Sequence, residues 1–310
     1  DAMYIGHMDT VFPDGTAEKR PFRIEGENYY GPGVGDMKNG DLAMFHIAAN
    51  LPETEKKCLN IAMVYNPDEE IGSIYSKEIT DRIGCQADHI FVMESAGKNG
   101  TRHCFARKGS LTYDIEFQGQ AAHAGFMFEV ENASAVLEMG HYIVELMSLA
   151  DREKDTTVNV GIANGGTARN VVADHAKISV EMRFRDDSER IRLKEYVNKI
   201  TEGQPFVPGV KTTITMQKET PPFIKTEEAK KYIERVRKIA EEYGIPFEEK
   251  DRGGLSDANH LSRCGNAIVM DGMGPHGAND HSEKEYGYIG SVEPCVKLHL
   301  AILNDMLNKQ

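Results

Sequence analysis

The sequence lacks an excess of positive charge, a paired-cysteine motif and a long apolar run. Its formal net charge is −13 at pH 7, so it would repel nucleic acid and anionic membrane surfaces, and we expect neither as a partner. No apolar stretch approaches the ~18 residues of a transmembrane helix, so we expect no membrane span. With 310 residues and 40% hydrophobic content, the chain can bury a sizeable core and form more than one domain.

The cysteines are odd in number, five in all, and none is in a C-x-x-C spacing. We therefore expect reduced thiols in a cytoplasmic protein, rather than a disulfide framework or a zinc ribbon. The sequence shows no signal peptide. Because the chain opens at Asp1, already inside a strand-like run, we expect a further segment upstream in the full-length protein.

The strongest local pattern is the stretch 66–73, Asn-Pro-Asp-Glu-Glu-Ile-Gly-Ser, which follows the apolar run 59–65. The apolar run predicts a buried strand. Glu69 and Glu70 at its end would be costly unless a positive partner compensates them. Because no Lys or Arg is within six residues of them, the sequence predicts a metal ion beside the two glutamates.

Other ligand-type side chains follow strand-like runs or lie in glycine-rich loops. His7 and Asp9 end the apolar run 3–6; being two apart on a strand, they share a face, so Asp9 can hold the second imidazole nitrogen of His7. Asp36 lies in the loop 31–40, which lacks the G-x-G-x-x-G order of a phosphate loop. The alternatives left open are a surface turn for His7 and Asp9 and a helix N-cap for Asp36.

The first third of the chain alternates strands with helices. Apolar strands at 59–65 and 89–93 follow the helices expected at 37–50 and 74–83 in a pattern typical of a largely parallel α/β sheet. Functional groups are expected at the carboxyl ends of such strands, which is where Glu94 lies.

A second pattern begins after about residue 105 and predicts an inserted β-α-β-β-α-β domain. Its expected elements are strands 111–117, 156–163, 176–185 and 210–217, with helices 131–149 and 187–200. We therefore predict a catalytic metal-binding domain at 1–106 and 218–310, interrupted by a second domain at 107–217.

The candidate ligands combine into two nitrogen and three oxygen donors, a set that suits zinc and related divalent ions. They are His7, Asp36, Glu70, Glu94 and His281. With one bridging carboxylate, five such ligands can hold two ions ~3.5–4 Å apart. Glu69 is then left as a free carboxylate for general-base hydrolysis.

The order of these motifs resembles the di-zinc exopeptidase family of glutamate carboxypeptidase, succinyl-diaminopimelate desuccinylase, aminoacylase, peptidase T and carnosinase. The resemblance is carried by Gly-His-Met-Asp-Thr-Val at 6–11, Gly-Asp-Met-Lys at 35–38, Asp-Glu-Glu-Ile-Gly-Ser at 68–73, Met-Glu at 93–94 and His-Ser-Glu at 281–283. It is nearest to the glutamate carboxypeptidases. It implies a zinc-peptidase-like mixed, mainly parallel sheet with helices on both faces, and a ferredoxin-like lid or dimerisation domain that forms a homodimer.

The resemblance also implies roles for the metal-site residues. Asp36 would bridge two Zn²⁺ ions, with Co²⁺ or Mn²⁺ as alternatives. His7 and Glu94 would bind one ion, and Glu70 and His281 the other. Asp9 would orient His7, and Glu69 would move the proton. In this family a Glu at position 94 goes with carboxypeptidases and deacylases, and an Asp with aminopeptidases.

Three further roles are implied in the inserted domain. His123, in Gly-Gln-Ala-Ala-His-Ala-Gly at 119–125, resembles a histidine that stabilises the oxyanion. Asn170 resembles a substrate-binding asparagine. Arg183 resembles the arginine that clamps a substrate carboxylate, since a planar guanidinium fits it bidentately, and Arg185 competes for this role.

Two positions outside that domain complete the expected site. Gly254 and Leu255 resemble a loop over the substrate, although relatives often have Thr or Gly in place of Leu255. His276 is a second histidine near His281, and we expect it to contact a ligand residue or lie in a loop, rather than bind a metal ion itself.

The sequence as a whole predicts a cytoplasmic di-metal hydrolase. We expect it to cleave the amide bond of a peptide or N-acyl amino acid with a free carboxylate, as glutamate carboxypeptidases do. The alternatives are an aminopeptidase or dipeptidase of the same family, and a catalytically silent binding homologue, whose expected mark would be loss of Glu69 or of a metal ligand. Neither the acyl group nor the native metal follows from the sequence.

Overall fold

A computed structural model describes residues 1–308. The chain forms two compact units. We call the segment Asp1–Arg107 together with the chain from Phe223 onward the first unit, and Lys108–Pro222 the inserted unit. The inserted unit continues past the 217 expected from sequence because its last strand runs to Thr220.

The secondary structure contains the following elements in the described residues. The strands are β1 Ala2–His7, β2 Arg23–Glu25, β3 Asn28–Tyr30, β4 Ile61–Asn66, β5 His89–Val92, β6 Ser95–Ala96, β7 Arg102–His103, β8 Gly109–Gln118, β9 Ala122–His123, β10 Thr157–Gly165, β11 Val171–Val172, β12 His175–Phe184, β13 Lys211–Thr220, β14 Glu248–Glu249, β15 Ile268–Met270, β16 Gly274–Ala278 and β17 Tyr286–Tyr288. The α-helices are α1 Thr16–Lys19, α2 Asn39–Asn50, α3 Glu53–Cys58, α4 Lys77–Gly84, α5 Ala135–Met147, α6 Asp187–Glu202, α7 Glu227–Glu242, α8 Ala258–Leu261 and α9 Val292–Leu307.

The first unit is built on a four-stranded parallel sheet in the order β15-β5-β1-β4. Its strand β1 is buried along its whole length, because alternate side chains enter two cores. Tyr4 packs in the core formed with α2, α7 and α9. Met3 and Ile5 enter the opposite core, which includes α8. The predicted parallel sheet with helices on both faces is thus confirmed.

A second sheet of the first unit joins distant parts of the chain in the order β2-β3-β17-β16-β6. The turn between β2 and β3 contains Gly26, whose φ of 63° suits glycine. The strands β16 and β17 were not predicted, because they are short and rich in glycine and polar residues. This sheet makes the fold mixed rather than purely parallel.

The long elements of the inserted unit follow the order β8-α5-β10-β12-α6-β13 and form an antiparallel sheet in the order β10-β12-β8-β13. Side chains of α5 and α6 share one core with this sheet. The short strands β9 and β11 form a separate pair. The helices begin at side-chain caps: Ser134 accepts from Leu137 N, and Asp186 from Glu189 N. This is the β-α-β-β-α-β arrangement, and its role as a lid stays a prediction.

Candidate metal centre

The carboxyl ends of three neighbouring parallel strands meet at one edge of the main sheet. His7 is the last residue of β1, and Glu94 follows β5 by two residues. Glu69 and Glu70 lie in the turn after β4. Since β1 pairs with both β4 and β5 in parallel register, the fold itself brings these side chains together.

Asp36 lies between the two histidines predicted as ligands. Its Oδ1 is 3.1 Å from His7 Nε2, and its Oδ2 is 3.0 Å from His281 Nε2. Each histidine also faces one glutamate: His7 Nε2 is 3.6 Å from Glu94 Oε1, and His281 Nε2 is 3.3 Å from Glu70 Oε2. The five ligand-type side chains therefore form two groups that share one carboxylate.

The same geometry leaves room for divalent ions. Ligand atoms of His7, Asp36 and Glu70 lie within 4.8 Å of one another, and so do those of His7, Glu69 and Glu94. Glu70 Oε1 is buried and has no hydrogen-bond partner among residues 1–308. A buried carboxylate oxygen without a partner is costly, and a metal ion would satisfy it.

The pKa shifts of the cluster also indicate a site for positive charge. Burial raises the pKa of Glu70 to about 7, and the charge of Asp36 adds to that shift. Burial and the charge of Glu94 raise the pKa of Glu69 well above its ordinary value. Burial acts to lower the pKa of His7, but hydrogen bonds to Asp36 and Asp9 outweigh burial, and the net effect is a raised pKa. The carboxylates thus need compensating positive charge, which protons or metal cations can supply.

The two predicted histidine ligands differ in exposure. The side chain of His7 is 1% exposed, whereas that of His281 is 55% exposed. The centre is therefore closed by the sheet on the His7 side and open on the His281 side. An open side is what a substrate needs in order to reach a catalytic metal.

Asp9 has a second contact that the sequence did not suggest. Its Oδ1 is 3.4 Å from His7 Nδ1, the position expected for an orienting carboxylate. Its two oxygens also accept hydrogen bonds from the backbone N–H groups of Glu69 and Glu70, at 3.1 and 2.9 Å. Asp9 therefore positions the glutamate turn as well as the imidazole.

The acidic turn is also tied to a distant part of the first unit. Asn66 Nδ2 donates to Asp257 Oδ2 at 2.7 Å and to Ser73 Oγ at 3.0 Å. Ser73 Oγ donates to Asp257 Oδ1, which also lies 3.0 Å from His260 Nε2. All four side chains are buried, so they hold both ends of the turn. No local sequence pattern indicated that Asp257 holds this turn.

Arg107 holds the backbone of the loop that contains Gly254 and Leu255. Arg107 Nη1 donates to the backbone oxygen of Leu255 at 3.1 Å, and Arg107 Nε donates to buried Asp271. Gly254 is exposed. This loop is therefore anchored through its backbone, and its outer surface is open.

The comparisons with known proteins cover almost the whole chain. Residues 3–305 match the family model described as "Peptidase family M20/M25/M40". The chain belongs to this peptidase family. It is 25% identical over 308 residues to carboxypeptidase G2 of Pseudomonas sp. (strain RS-16), covering 98% of this chain and 73% of that protein. It is 25% identical over 327 residues to succinyl-diaminopimelate desuccinylase of Xylella fastidiosa (strain M12), covering 98% and 82%.

Solved structures show the same fold. The chain matches a tripeptidase of Staphylococcus aureus with a TM-score of 0.80 at 22% identity, covering 100% of this chain and 81% of that one. It matches aminopeptidase PepT of Bacillus cereus with a TM-score of 0.77 at 22% identity, covering 98% and 80%. The predicted resemblance and fold class are confirmed, and the chain is a metallopeptidase or amidohydrolase of family M20.

The M20 resemblance also assigned roles in the inserted unit. His123 ends β9 and pairs with Val171 of β11, and its exposed Nδ1 accepts from Gly125 N at 3.1 Å. The backbone oxygen of Asn170 accepts from Ala124 N at 3.0 Å. His123 and Asn170 are thus near each other within this unit, and their role in the reaction stays a prediction.

Both candidate arginines lie at the end of β12 or just after it. Arg183 Nη2 donates to Glu181 Oε1 at 2.7 Å, and Arg185 Nε donates to Asp155 Oδ2 at 2.8 Å. Such partly exposed pairs are weak.

His276 is placed apart from the ligand set. It is buried on β16, its Nδ1 is 3.0 Å from Ala96 O, and its backbone N–H donates to Ser291 Oγ. The close ligand clusters of residues 1–308 contain neither His276 nor His281, so the hydrogen bonds of His276 are what distinguish it from His281. Separately, none of the helices within residues 1–308 combines the length and the apolar character that a membrane span requires.

Proposed function

We propose that this M20 protein hydrolyses the amide bond of a peptide or N-acyl amino acid whose leaving amino acid has a free carboxylate. The observation that carries the proposal is Asp36, whose two oxygens face His7 and His281 at 3.1 and 3.0 Å. The paired glutamates Glu94 and Glu70 complete two ligand groups. Glu69 remains beside them for proton transfer.

The residues present fit two divalent ions, zinc or alternatively cobalt or manganese. His7 and Glu94 would hold one ion, Glu70 and His281 the other, and Asp36 both. Such ions, when bound, polarise a carbonyl group and make water a stronger nucleophile at neutral pH.

The protein side chains supply the proton transfer. Glu69 Oε2 is 3.9 Å from His7 Nε2, at the edge of the ligand set. We assign it to accept a proton from the attacking water and to deliver that proton to the leaving amine nitrogen. Asp9 holds the backbone of Glu69 while this occurs.

Substrate recognition is proposed for the remaining residues. Arg183, or Arg185 in its place, would bind the free carboxylate, and Asn170 the backbone of the substrate. His123 would donate to the carbonyl oxygen as negative charge develops on it. The open loop at Gly254 and Leu255 would contact the substrate side chain.

A substrate panel tests the proposal. It contains N-acyl-glutamates including folate-type conjugates, N-succinyl and N-acetyl amino acids, and free dipeptides, each assayed for amino acid release with and without a chelator. We expect chelator-sensitive release from N-acyl amino acids, with a raised KM in Arg183→Lys. Preference for free dipeptides would favour the aminopeptidase or dipeptidase hypothesis, and no release of any amino acid from metal-loaded protein would favour the silent binding homologue.

We also infer a homodimer that forms through the inserted unit. The edge strand β10 of its sheet is exposed along residues 161–165, and α5 exposes Leu137 and Val144. Edge strands and apolar surfaces of this kind favour pairing across a two-fold axis. Sedimentation at micromolar concentration tests this inference. A result that shows no species larger than the chain mass of 34.5 kDa would contradict the homodimer.

A cytoplasmic location also stays a proposal, and localisation of the tagged full-length protein by cell fractionation tests it.

A further inference from the structure

A buried carboxylate outside the ligand set contacts the loop that contains Asp36. Glu285 directly precedes β17 and is 1% exposed. Its Oε2 accepts from Gly33 N at 2.9 Å, and its Oε1 accepts from Gly35 N at 2.8 Å and Asp36 N at 3.0 Å. One side chain thus receives three backbone hydrogen bonds from a loop about 250 residues away.

The glycines of the loop make this contact possible. Gly33 has φ of 72°, a left-handed conformation that suits glycine. A Cβ atom at Gly35 would lie 3.1 Å from Tyr286 O and 3.3 Å from Gly277 Cα. The loop therefore lies directly against β16 and β17, and its N–H groups form a concave site for an anion.

The chemistry of the contact requires a carboxylate. Three N–H donors need an acceptor at each position, and an ionised carboxylate accepts at both oxygens without presenting a hydrogen. A glutamine would turn an N–H₂ group toward at least one of these donors. The need for an acceptor explains why a carboxylate fits position 285, although Asp36 brings a second negative charge close by.

The contact joins the loop of Asp36, the proposed shared ligand, to the segment that contains His281. Asp36 lies in the loop held by Glu285, and His281 precedes Glu285 by four residues in the same segment as β17. The 3.0 Å distance between Asp36 Oδ2 and His281 Nε2 therefore depends on how these two segments are held together. His281 itself has φ of 61°, an uncommon conformation for a non-glycine residue, so its segment is held away from a relaxed geometry.

We infer that Glu285 is a positioning residue of the metal centre. It sets the backbone of Asp36 relative to the His281 segment, so that each oxygen of Asp36 faces one histidine. This inference rests on the proposed two-metal function, and it assigns Glu285 no contact with a metal ion or substrate. Residues that orient ligands in this way typically change metal affinity or activity about 10–100-fold when replaced.

The test is metal binding by Glu285→Gln, with Glu283→Gln as the matched control. Glu283 is two residues away and exposed, so the control loses the same charge without losing the three hydrogen bonds. Each metal-free protein is titrated with Co²⁺, and the visible absorption of bound Co²⁺ reports its affinity and coordination geometry. Circular dichroism of the metal-free proteins reports folding.

We expect Glu285→Gln to bind Co²⁺ about 10–100-fold more weakly, with a changed absorption spectrum, and Glu283→Gln to match the wild type. If Glu285→Gln does not fold, Glu285→Asp takes its place with the same expected loss, because its oxygens are withdrawn by one methylene. A folded variant with wild-type affinity and spectrum would overturn the role of Glu285. A wild-type protein that binds fewer than two Co²⁺ ions would instead contradict the proposed function.

Discussion

The carboxylate of Asp9 accepts a hydrogen bond from the backbone N–H of Glu70 at 2.9 Å. This contact joins the end of β1 to the turn after β4, and so couples the position of one proposed ligand, His7, to that of another, Glu70. A neighbouring bond from Glu69 N, at 3.1 Å, extends the coupling to the proposed base. The relative positions of the proposed ligand and the proposed base are therefore set by one side chain outside the proposed ligand set.

Replacing Asp9 should disturb both parts of the site. In Asp9→Asn, one oxygen becomes an N–H₂ group that faces backbone donors or the imidazole. We expect metal affinity and kcat to fall about 10–100-fold, as measured by Co²⁺ titration and by amino acid release. Asp14→Asn, an exposed change in the same segment, is the control, and equal losses in the two variants would contradict the role of Asp9.

The hydrogen-bonded group around Asp257 should contribute to stability. Ser73→Ala removes the hydroxyl that donates to Asp257 and accepts from Asn66, and it leaves a buried amide N–H short of an acceptor. We expect the free energy of unfolding to fall by about 1–3 kcal/mol in urea denaturation. The exposed Ser148→Ala should change it by less than about 0.5 kcal/mol, and a Ser73→Ala variant as stable as wild type would refute the prediction.

The ion pairs of His260 should make stability depend on pH. Burial acts to lower the pKa of His260, but hydrogen bonds and the charges of Asp257 and Asp81 outweigh it and raise that pKa. A raised pKa means that this stabilisation is complete below the unfolded pKa of about 6.5 and is lost as the pH rises through the folded pKa. Because the pKa of Asp257 is lowered, mainly by His260 against the effect of burial, its contribution is lost at acid pH, below about 4.

The measurement is the free energy of unfolding of wild type and His260→Asn between about pH 5 and about pH 9. We expect the difference between them to be largest at the acid end and to shrink toward the alkaline end. His46→Asn, an exposed change, should show no such trend. A difference for His260→Asn that stays constant across the range would count against the assignment.

Metal removal should destabilise the first unit. The carboxylates of Asp36, Glu70 and Glu94 repel one another in a buried setting, and bound cations relieve this cost. We expect a chelator to lower the Tm of wild type, and added Zn²⁺ to restore it. In Glu70→Gln this chelator effect should be smaller, and an identical shift in both proteins would show that Glu70 is not part of the binding site.

The parts of the site that the sequence predicted are those with a local pattern. His7 at the end of an apolar strand and Glu69 and Glu70 after another could be placed because strand ends follow from apolar runs. The contacts that hold these residues could not. Glu285 meets Gly33 across 252 residues and Asp257 meets Ser73 across 184, and no local periodicity records such a pairing.

The sequence likewise predicted some elements of the fold and not others. The parallel sheet and the β-α-β-β-α-β order were expected from alternation and length. The strands β16 and β17 contain glycines such as Gly277 and Gly287, and they have neither apolar alternation nor β-branched residues. They form because β3 pairs with β17 and the Asp36 loop packs against both strands. Tertiary context therefore decides their conformation.

The most direct test of the proposed role of Glu69 is the activity of fully metal-loaded Glu69→Gln. Metal content is counted per chain, and amino acid release is measured on the preferred substrate, with exposed Glu78→Gln as the control. We expect two ions per chain in both variants, wild-type kcat in the control, and a kcat lowered about 10²–10⁴-fold in Glu69→Gln. Two bound ions with wild-type kcat in Glu69→Gln would contradict the role of Glu69 as the proton-transfer group.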